Sequence, residues 1–210
     1  MGAVLAGART AGVRWSMRGF MMEMMLQPSE IAPERVRPLR RTEYDLMVVA
    51  GAFEGERVEL LSGALVEMTP QGTGHSESVA RLSRLLTRAL PDQYVVRTHS
   101  PFAATDDSEP EPDLAVVPDE NYSARHPSTA FLVVEVADSS RAKDLGPKAR
   151  LYAAAGIPEY WLVDLVDDVV LVHLHPEGGR YASVEAHPAG EVLKPTALPQ
   201  VEVAVARLLP

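Results

Sequence analysis

Two acidic residues occur where the sequence predicts buried strands. Glu135 lies within the apolar run from Phe131 to Ala137, and Asp113 directly precedes the apolar run from Leu114 to Val117. A buried carboxylate without a partner is costly. Carboxylates from adjacent strands can converge on a divalent cation, because Mg²⁺ prefers oxygen ligands. The residues alone leave a second explanation open, which is structural ion pairing with Arg97, Arg141 or Arg150.

Lysine is rare in this chain, which uses arginine for most of its positive charge. Of the 20 basic residues, 17 are arginine and three are lysine, and Lys143 and Lys148 both follow Glu135 closely. A compact ammonium can contact a phosphate or an activated water molecule. Lysine at this point therefore favours phosphoryl chemistry.

Periodicity and turn residues predict the elements that would position these side chains. Thr42 is expected to cap a first helix, and Val58 to Met68 is expected to form a hairpin that turns at Ser62-Gly63. The clearest helix is predicted over His75 to Leu90, where apolar residues recur at three- and four-residue steps.

The rest of the chain alternates strands with one further helix. Strands are predicted at Tyr94 to Ala104, Pro112 to Val117, Phe131 to Ala137 and Pro158 to Val163, and a helix from about Asp144 to Ala155. Antiparallel additions are predicted at Val169 to His173, Tyr181 to Glu185 and Val201 to Val205. The fold class is therefore α/β, with the core order helix, three strands, helix, strand, an N-terminal helix and hairpin, and C-terminal antiparallel strands.

Four motifs taken together resemble a known family. They are Pro112-Asp113-Leu114, Val133-Val134-Glu135-Val136, Asp144 and Lys148 with Leu151-Tyr152, and Gly156-Ile157-Pro158-Glu159-Tyr160-Trp161-Leu162-Val163-Asp164. From about Thr42 onward the chain resembles the Uma-type restriction endonuclease family, within the PD-(D/E)XK nuclease superfamily. The resemblance implies a restriction endonuclease-like domain over residues 41–210, and a metal-dependent DNA endonuclease that hydrolyses phosphodiester bonds.

The resemblance also implies roles for individual residues. Asp113, Glu135 and Lys148 would be catalytic. Asp113 and Glu135 would bind Mg²⁺, with Mn²⁺ as a substitute, and Glu59 on the hairpin would reach the same metal ion. Lys148 would position the attacking water or offset the charge that develops on the phosphoryl group.

This sequence departs from the simplest superfamily pattern at one position. The residue two after Glu135 is Ala137 rather than lysine, so Lys148 on the following helix would supply the amine, with Lys143 as the fallback. Enzymes of this superfamily often cut both strands in pairs, so a homodimer is expected. DNA is the expected substrate, and RNA and branched DNA stay open because target choice depends on groove shape.

Charge and composition restrict the function. The net charge is −9, and beyond Arg41 there are 13 basic and 26 acidic residues, which opposes loose, charge-driven binding to nucleic acid. Acids gathered at a site would nevertheless attract cations. The absence of cysteine and of any long apolar run predicts a cytoplasmic protein that does not enter a membrane. Residues 1–40 are interpreted as an N-terminal extension without an assigned function.

Other polar residues receive structural interpretations. Asp144 is expected to cap a helix, His75 to cap or lie at the surface, and His173 and His175 to be surface residues. The segment Asp106 to Glu109 is expected to be a solvated turn. Tyr160 and Trp161 are assigned to the core.

A rival function belongs to another class, a catalytically silent nuclease-fold module that acts through a protein partner. Exposed apolar patches would favour this rival. The enzyme would instead be favoured by a basic groove lined by Arg97, Arg125, Arg141 and Arg150.

Overall fold

The computed structural model describes residues 34–209, and the described residues from Pro38 onward form one compact unit. Most of the predicted extension over residues 1–40 therefore lies outside the described residues. In the described part of the chain, no helix is long and apolar enough to cross a membrane.

The unit begins with a helix and a hairpin. Helix α1 (Arg41–Val49) is followed by strands β1 (Val58–Leu61) and β2 (Ala64–Glu67), which pair antiparallel. Ser62 and Gly63 both have positive φ, as a two-residue hairpin turn requires. Thr42 is not the cap of α1. The cap is Arg40, whose backbone N–H donates to the Glu43 side chain at 2.9 Å.

A six-stranded mixed sheet follows helix α2 (Thr73–Ala89). Its strands are β3 (Tyr94–Thr98), β4 (Leu114–Pro118), β5 (Leu132–Ala137), β6 (Glu159–Asp164), β7 (Val169–Glu177) and β8 (Arg180–Pro188). Spatial order equals chain order, and every neighbouring pair is antiparallel except β5 and β6. The predicted α/β class and core order are confirmed.

The parallel connection between β5 and β6 contains one continuous helical segment, whose geometry changes along its length. It comprises α3 (Arg141–Lys143), a wide π turn (Asp144–Lys148) and α4 (Ala149–Ala154). Pro147 lies in the π turn and has no N–H to donate, which explains why regular α geometry is interrupted there. Gly156, with φ of 74°, ends the helical segment as predicted.

Each face of the sheet carries its own apolar layer. Leu82 and Leu86 of α2 pack with Val134 and Trp161 on one face. On the other face, Tyr152 of α4 packs among apolar residues that include Val133, Ile157 and Leu162. Tyr160 and Trp161 are fully buried, as predicted.

The C-terminal segment adds two short strands, β9 (Val192–Leu193) and β10 (Val203–Ala204), and a 3₁₀ turn (Val205–Arg207). The strands pair with each other, and the apolar residues of the segment join the layer beneath α2. The predicted antiparallel additions are therefore present.

The segment between β3 and β4 differs from its prediction. Strand β3 ends at Thr98 instead of Ala104, because His99 adopts a positive φ of 44° and Pro101 has no N–H to donate to a ladder. The expected solvated turn is also wrong in part. Ser108 and Glu109 are buried, and Ser108 Oγ accepts from the backbone N–H of Ser62 at 2.9 Å.

One histidine assignment is also corrected. His173 is buried, with its ring 5.0 Å from that of Tyr160 and 5.6 Å from that of Tyr181, whereas His175 is exposed as expected. Burial lowers the pKa of His173. This histidine is part of an aromatic cluster rather than of the surface.

Candidate functional site

Asp113 is held at the start of β4 by contacts to both of its carboxylate oxygens. Its Oδ2 accepts from the backbone N–H of Val136 at 2.8 Å, which ties it to β5. Its Oδ1 lies 3.0 Å from Nε2 of His75 and accepts from Nε2 of Gln71 at 3.3 Å. Antiparallel pairing of β4 with β5 places Asp113 next to the stretch that carries Glu135.

Glu135 points from β5 toward the helical connection. Its strand neighbours Val134 and Val136 face α2, so alternation along the strand directs Glu135 to the opposite face. Its Oε1 accepts from Nζ of Lys148 at 2.9 Å and from the hydroxyl of Tyr152 at 2.6 Å. Burial raises the pKa of Glu135, and the Lys148 ammonium acts in the opposite direction.

Lys148 lies between two carboxylates. Its Nζ is 2.9 Å from Glu135 Oε1 and 3.0 Å from Glu59 Oε2, and its side chain is 3% exposed. Burial alone would lower the pKa of Lys148, but the charges of Glu135 and Glu59 raise it above its usual range. The ammonium therefore stays charged at neutral pH.

Glu59 reaches the site through lysines. Its Oε1 accepts from Nζ of Lys143 at 2.6 Å, and its Oε2 pairs with Lys148 and accepts the backbone N–H of Glu111 at 3.3 Å. Burial opposes ionisation, but the two ammonium groups lower the pKa of Glu59. Glu59 does not line the cavity beside Asp113 and Glu135, and its role as a metal ligand stays a prediction.

Asp144 joins the site, which the sequence interpretation missed. It lies inside the helical connection, whose N-cap is Ser140, so it does not cap the helix. Its Oδ2 accepts from the Ser140 hydroxyl, while Oδ1 is buried and has no hydrogen-bond partner among the described residues. Burial raises the pKa of Asp144. A glycine-proline pair two residues later was the sequence signal for an irregular turn at this position.

His75 was also assigned elsewhere by the sequence. It lies in the first turn of α2, is 9% exposed, and faces Asp113. Burial would lower the pKa of His75, but the hydrogen bond and charge of Asp113 raise it. His75 therefore belongs to the site rather than to the surface.

A small cavity of about 50 Å³ lies where these side chains meet. Asp113, Glu135, Asp144 and Lys148 all line it, together with His75. A cavity of this size has room for an ion and a few water molecules and excludes a nucleotide. Five acidic residues face two lysines around it, so the cavity attracts cations.

The donor set suits a hard divalent cation. Asp113, Glu135 and Asp144 supply carboxylate oxygens, and the unpartnered Oδ1 of Asp144 is the type of group that an ion would satisfy. Within residues 34–209, no three acidic or histidine side chains are already arranged around a common point for an ion. The residues therefore fit Mg²⁺ or Mn²⁺ by chemistry, with a shift of side chains on binding.

The alternative of arginine ion pairs is not what the structure shows. Asp113 contacts His75 and Gln71, and Glu135 contacts Lys148 and Tyr152. The nearby arginines have other partners: Arg141 pairs with Asp164 at 2.6 Å, Arg97 lies over the ring of Tyr122, and Arg150 lines a separate cavity with His173. Arg141, Arg97 and Arg150 therefore do not line the cavity at Asp113 and Glu135.

Fold and site together define a restriction endonuclease-like α/β domain in which buried carboxylates on adjacent central strands meet a lysine from the helical connection. The chain belongs to the Uma2 family, described as "Putative restriction endonuclease", whose profile matches residues 42–206. No protein among those with curated descriptions matches it.

A solved structure shares the fold. It is a crystal structure described as "a putative nuclease belonging to DUF820" from Anabaena variabilis, with a TM-score of 0.63 and 13% identity over 81% of this chain and 97% of that one. At this identity the likeness supports the fold alone.

Proposed function

We propose that this protein is a metal-dependent DNA endonuclease that hydrolyses phosphodiester bonds at the cavity between Asp113, Glu135 and Asp144. The observation that carries the proposal is the convergence of these carboxylates with the buried ammonium of Lys148 on one cavity of about 50 Å³. Membership of the Uma2 family supports the same chemistry.

Asp113 and Glu135 would hold the metal ion, with Asp144 as a third ligand. Bound Mg²⁺ or Mn²⁺ supplies activation of water and polarisation of the phosphoryl oxygen. Hydrogen bonds hold two of these ligands near the cavity: the Val136 N–H orients Asp113, and the Tyr152 hydroxyl orients Glu135. Once the ion is bound, such hydrogen bonds limit reorganisation of the ligands during the reaction.

Lys148 supplies the positive charge at the reacting phosphate. Its ammonium lies beside Glu135 at the cavity wall, where it can stabilise negative charge that develops on the phosphoryl oxygens. Glu59 holds this ammonium from the opposite side and is therefore a positioning residue in the proposal. No covalent intermediate with the protein is required.

The test compares isosteric variants of the ligands with a control on the same strand. Asp113→Asn and Glu135→Gln should abolish Mg²⁺ and Mn²⁺ binding in calorimetry, and with it the nicking of supercoiled plasmid. Asp119→Asn removes an exposed carboxylate just beyond the other end of β4 and should change neither. Circular dichroism would establish that each variant is folded. A wild type that binds no divalent cation would overturn the site assignment.

One observation favours the rival, a silent module that acts through a protein partner. Helix α1 exposes Leu46, Val48 and Val49, which are 71%, 50% and 86% exposed. Exposed aliphatic residues on one short helix are typical of an interaction surface. Metal binding by the wild type without cleavage of plasmid, oligonucleotide DNA or RNA would support this module instead.

A homodimer is part of the proposal, because cutting both strands of a duplex calls for two sites of opposite orientation. Analytical ultracentrifugation with and without duplex DNA tests this part. If the protein were monomeric under both conditions and nicked one strand, the proposed homodimer would be wrong and the proposed phosphodiester hydrolysis would stand.

A further inference from the structure

A second, larger groove runs along α2 and begins at the candidate site. It has a volume of about 470 Å³. Gln71 lines both this groove and the small cavity, and its Nε2 is 3.3 Å from Asp113 Oδ1 and 3.3 Å from His99 Nδ1. We call this larger groove the α2 groove. Because Gln71 lines both, the α2 groove is a continuation of the candidate site rather than a separate cavity.

The α2 groove differs in charge from the rest of the protein. Its walls contain Arg84 and Arg88 and the hydroxyls of Ser83 and Thr87, and no acidic residue lines it. The whole chain has 29 acidic residues against 20 basic ones. The α2 groove therefore lacks the carboxylates that surround the neighbouring small cavity, which is lined by five acidic residues.

Arg84 and Arg88 are not neutralised by the described residues. Neither forms an ion pair within residues 34–209, whereas Arg81 on the same helix pairs with Glu77 at 2.6 Å. Both arginines are exposed and lie one helical turn apart. Their guanidinium groups are available for an external anion, and guanidinium matches phosphate by forming two parallel hydrogen bonds.

The spacing along α2 fits a polymer rather than a single phosphate. Arg84 and Arg88 follow His75 by nine and 13 residues, so at about 1.5 Å per residue they lie roughly 13 and 20 Å along the helix from the cavity. Phosphates of one DNA strand recur every 3.4 Å or so along the duplex axis. The arginines would therefore meet phosphates several nucleotides away from the bond at the cavity.

We propose that the α2 groove binds the sugar-phosphate backbone of the nucleic-acid strand that flanks the cleaved bond, with Arg84 and Arg88 contacting its phosphates. This inference rests on the proposed nuclease function and adds the path of the substrate. It also answers the objection from the net charge, because binding depends on a local track of arginine and hydroxyl groups. Ser and Thr hydroxyls are common phosphate donors in such interfaces.

The test measures binding separately from cleavage. Fluorescence anisotropy in EDTA would follow binding of the full chain to a labelled DNA of about 20 nucleotides, single-stranded and duplex, over a range of salt. The variants are Arg84→Ala and Arg88→Ala, singly and together. Arg180→Ala is the control, because it removes one exposed charge at the opposite edge of the sheet. Alanine at exposed helix positions preserves the fold.

If Arg84 and Arg88 contact phosphates, their substitution should change the salt dependence of DNA binding. Each groove variant should weaken duplex binding at low salt by roughly fivefold and reduce the slope of log affinity against log salt by about 0.9. Arg180→Ala should leave both unchanged. In cleavage assays the groove variants should raise KM and leave kcat near the wild-type value, because they do not touch the reacting phosphate.

The outcomes separate this inference from the proposed function. DNA binding that depends on Arg84 and Arg88, in a protein that shows no cleavage, would support the proposed groove and overturn the proposed endonuclease activity. If the wild type cleaved DNA in a metal-dependent way while the groove variants bound DNA as Arg180→Ala does, the endonuclease proposal would stand and the groove proposal would be overturned. A wild type that binds neither DNA form would overturn the groove as well.

Discussion

The Nζ atom of Lys148 lies 2.9 Å from Oε1 of Glu135, although one residue belongs to a helical connection and the other to a central strand. The π turn ends at Lys148 and is followed directly by α4, which carries Tyr152 one turn further on. Both side chains therefore reach the same carboxylate oxygen. The helical connection thus places an amine beside Glu135, although the residue two after Glu135 on the strand is Ala137.

Lys148→Met should reduce cleavage at least about a hundredfold, because the charge that stabilises the reacting phosphate is lost. It should also lower the free energy of unfolding by roughly 3 to 5 kcal/mol, since Glu59 and Glu135 lose a buried partner. Single-turnover cleavage well below the melting temperature of the variant separates the two effects.

Lys143→Met is the matched control, because Lys143 is 25% exposed and contacts Glu59 without contacting Glu135. Its effect on cleavage should be much smaller. The roles of the two lysines would be exchanged if Lys143→Met lost activity while a folded Lys148→Met cleaved at the wild-type rate.

Asp144→Asn should weaken Mn²⁺ binding at least about tenfold, because it removes a carboxylate whose Oδ1 is buried without a partner at the cavity. Asp138→Asn is the comparison, since Asp138 lines the same cavity but is exposed. Calorimetric titration of both variants measures the difference. Equal Mn²⁺ affinities of the two variants would mean that Asp144 has a structural role and is not a metal ligand.

The sequence predicted the core because its signals were local and strong. The helical period of α2 and the apolar run of β5 specify elements whose type does not depend on distant contacts. Asp113 and Glu135 stood out for the same reason, since each interrupts or precedes an apolar run. Their convergence followed once the two strands were assigned as neighbours.

The missed residues depended on tertiary geometry. Asp144 looked like a helix cap because the start of the helix at Arg141 and the π turn at Pro147 are not part of the periodic pattern. His75 was correctly placed near a helix start, but only the packing of α2 over β4 brings it to Asp113. Glu109 was assigned to solvent because the pairing of its segment with β1 joins residues far apart in the chain.

Glu159→Gln should destabilise the protein by about 2 to 3 kcal/mol without affecting the site. Glu159 Oε1 accepts from Nε1 of Trp161 at 2.6 Å, and Oε2 accepts from the backbone N–H of Thr196 at 2.7 Å. An amide has one acceptor oxygen, so either the buried Trp161 N–H or the part-buried Thr196 N–H would lose its partner. Urea unfolding followed by tryptophan fluorescence measures the change.

The control for this variant is Glu185→Gln, at an exposed position on β8. It should change the free energy of unfolding by less than about 0.5 kcal/mol. If both variants were equally stable, the hydrogen bonds that Glu159 accepts from Trp161 and Thr196 would contribute little to the free energy of unfolding.

Glu109→Gln should change how stability depends on pH. Burial, followed by the charge of Asp45, raises the pKa of Glu109 from 4.5 to about 7, and Arg41 at 3.9 Å offsets only part of this. At a pH between these two values, Glu109 is protonated in the folded protein and ionised in the unfolded chain. The contribution of Glu109 to stability is therefore lost as pH rises through this window, by an amount on the order of 3 kcal/mol.

The comparison is the free energy of unfolding of wild type minus that of Glu109→Gln, measured in urea near pH 5 and near pH 8. This difference should fall as pH rises, because glutamine cannot ionise and the variant escapes the cost of a buried charge. Taking the difference also cancels the titration of all other carboxylates. A difference that rises with pH would mean instead that ionised Glu109 is stabilised in the folded protein by the guanidinium of Arg41.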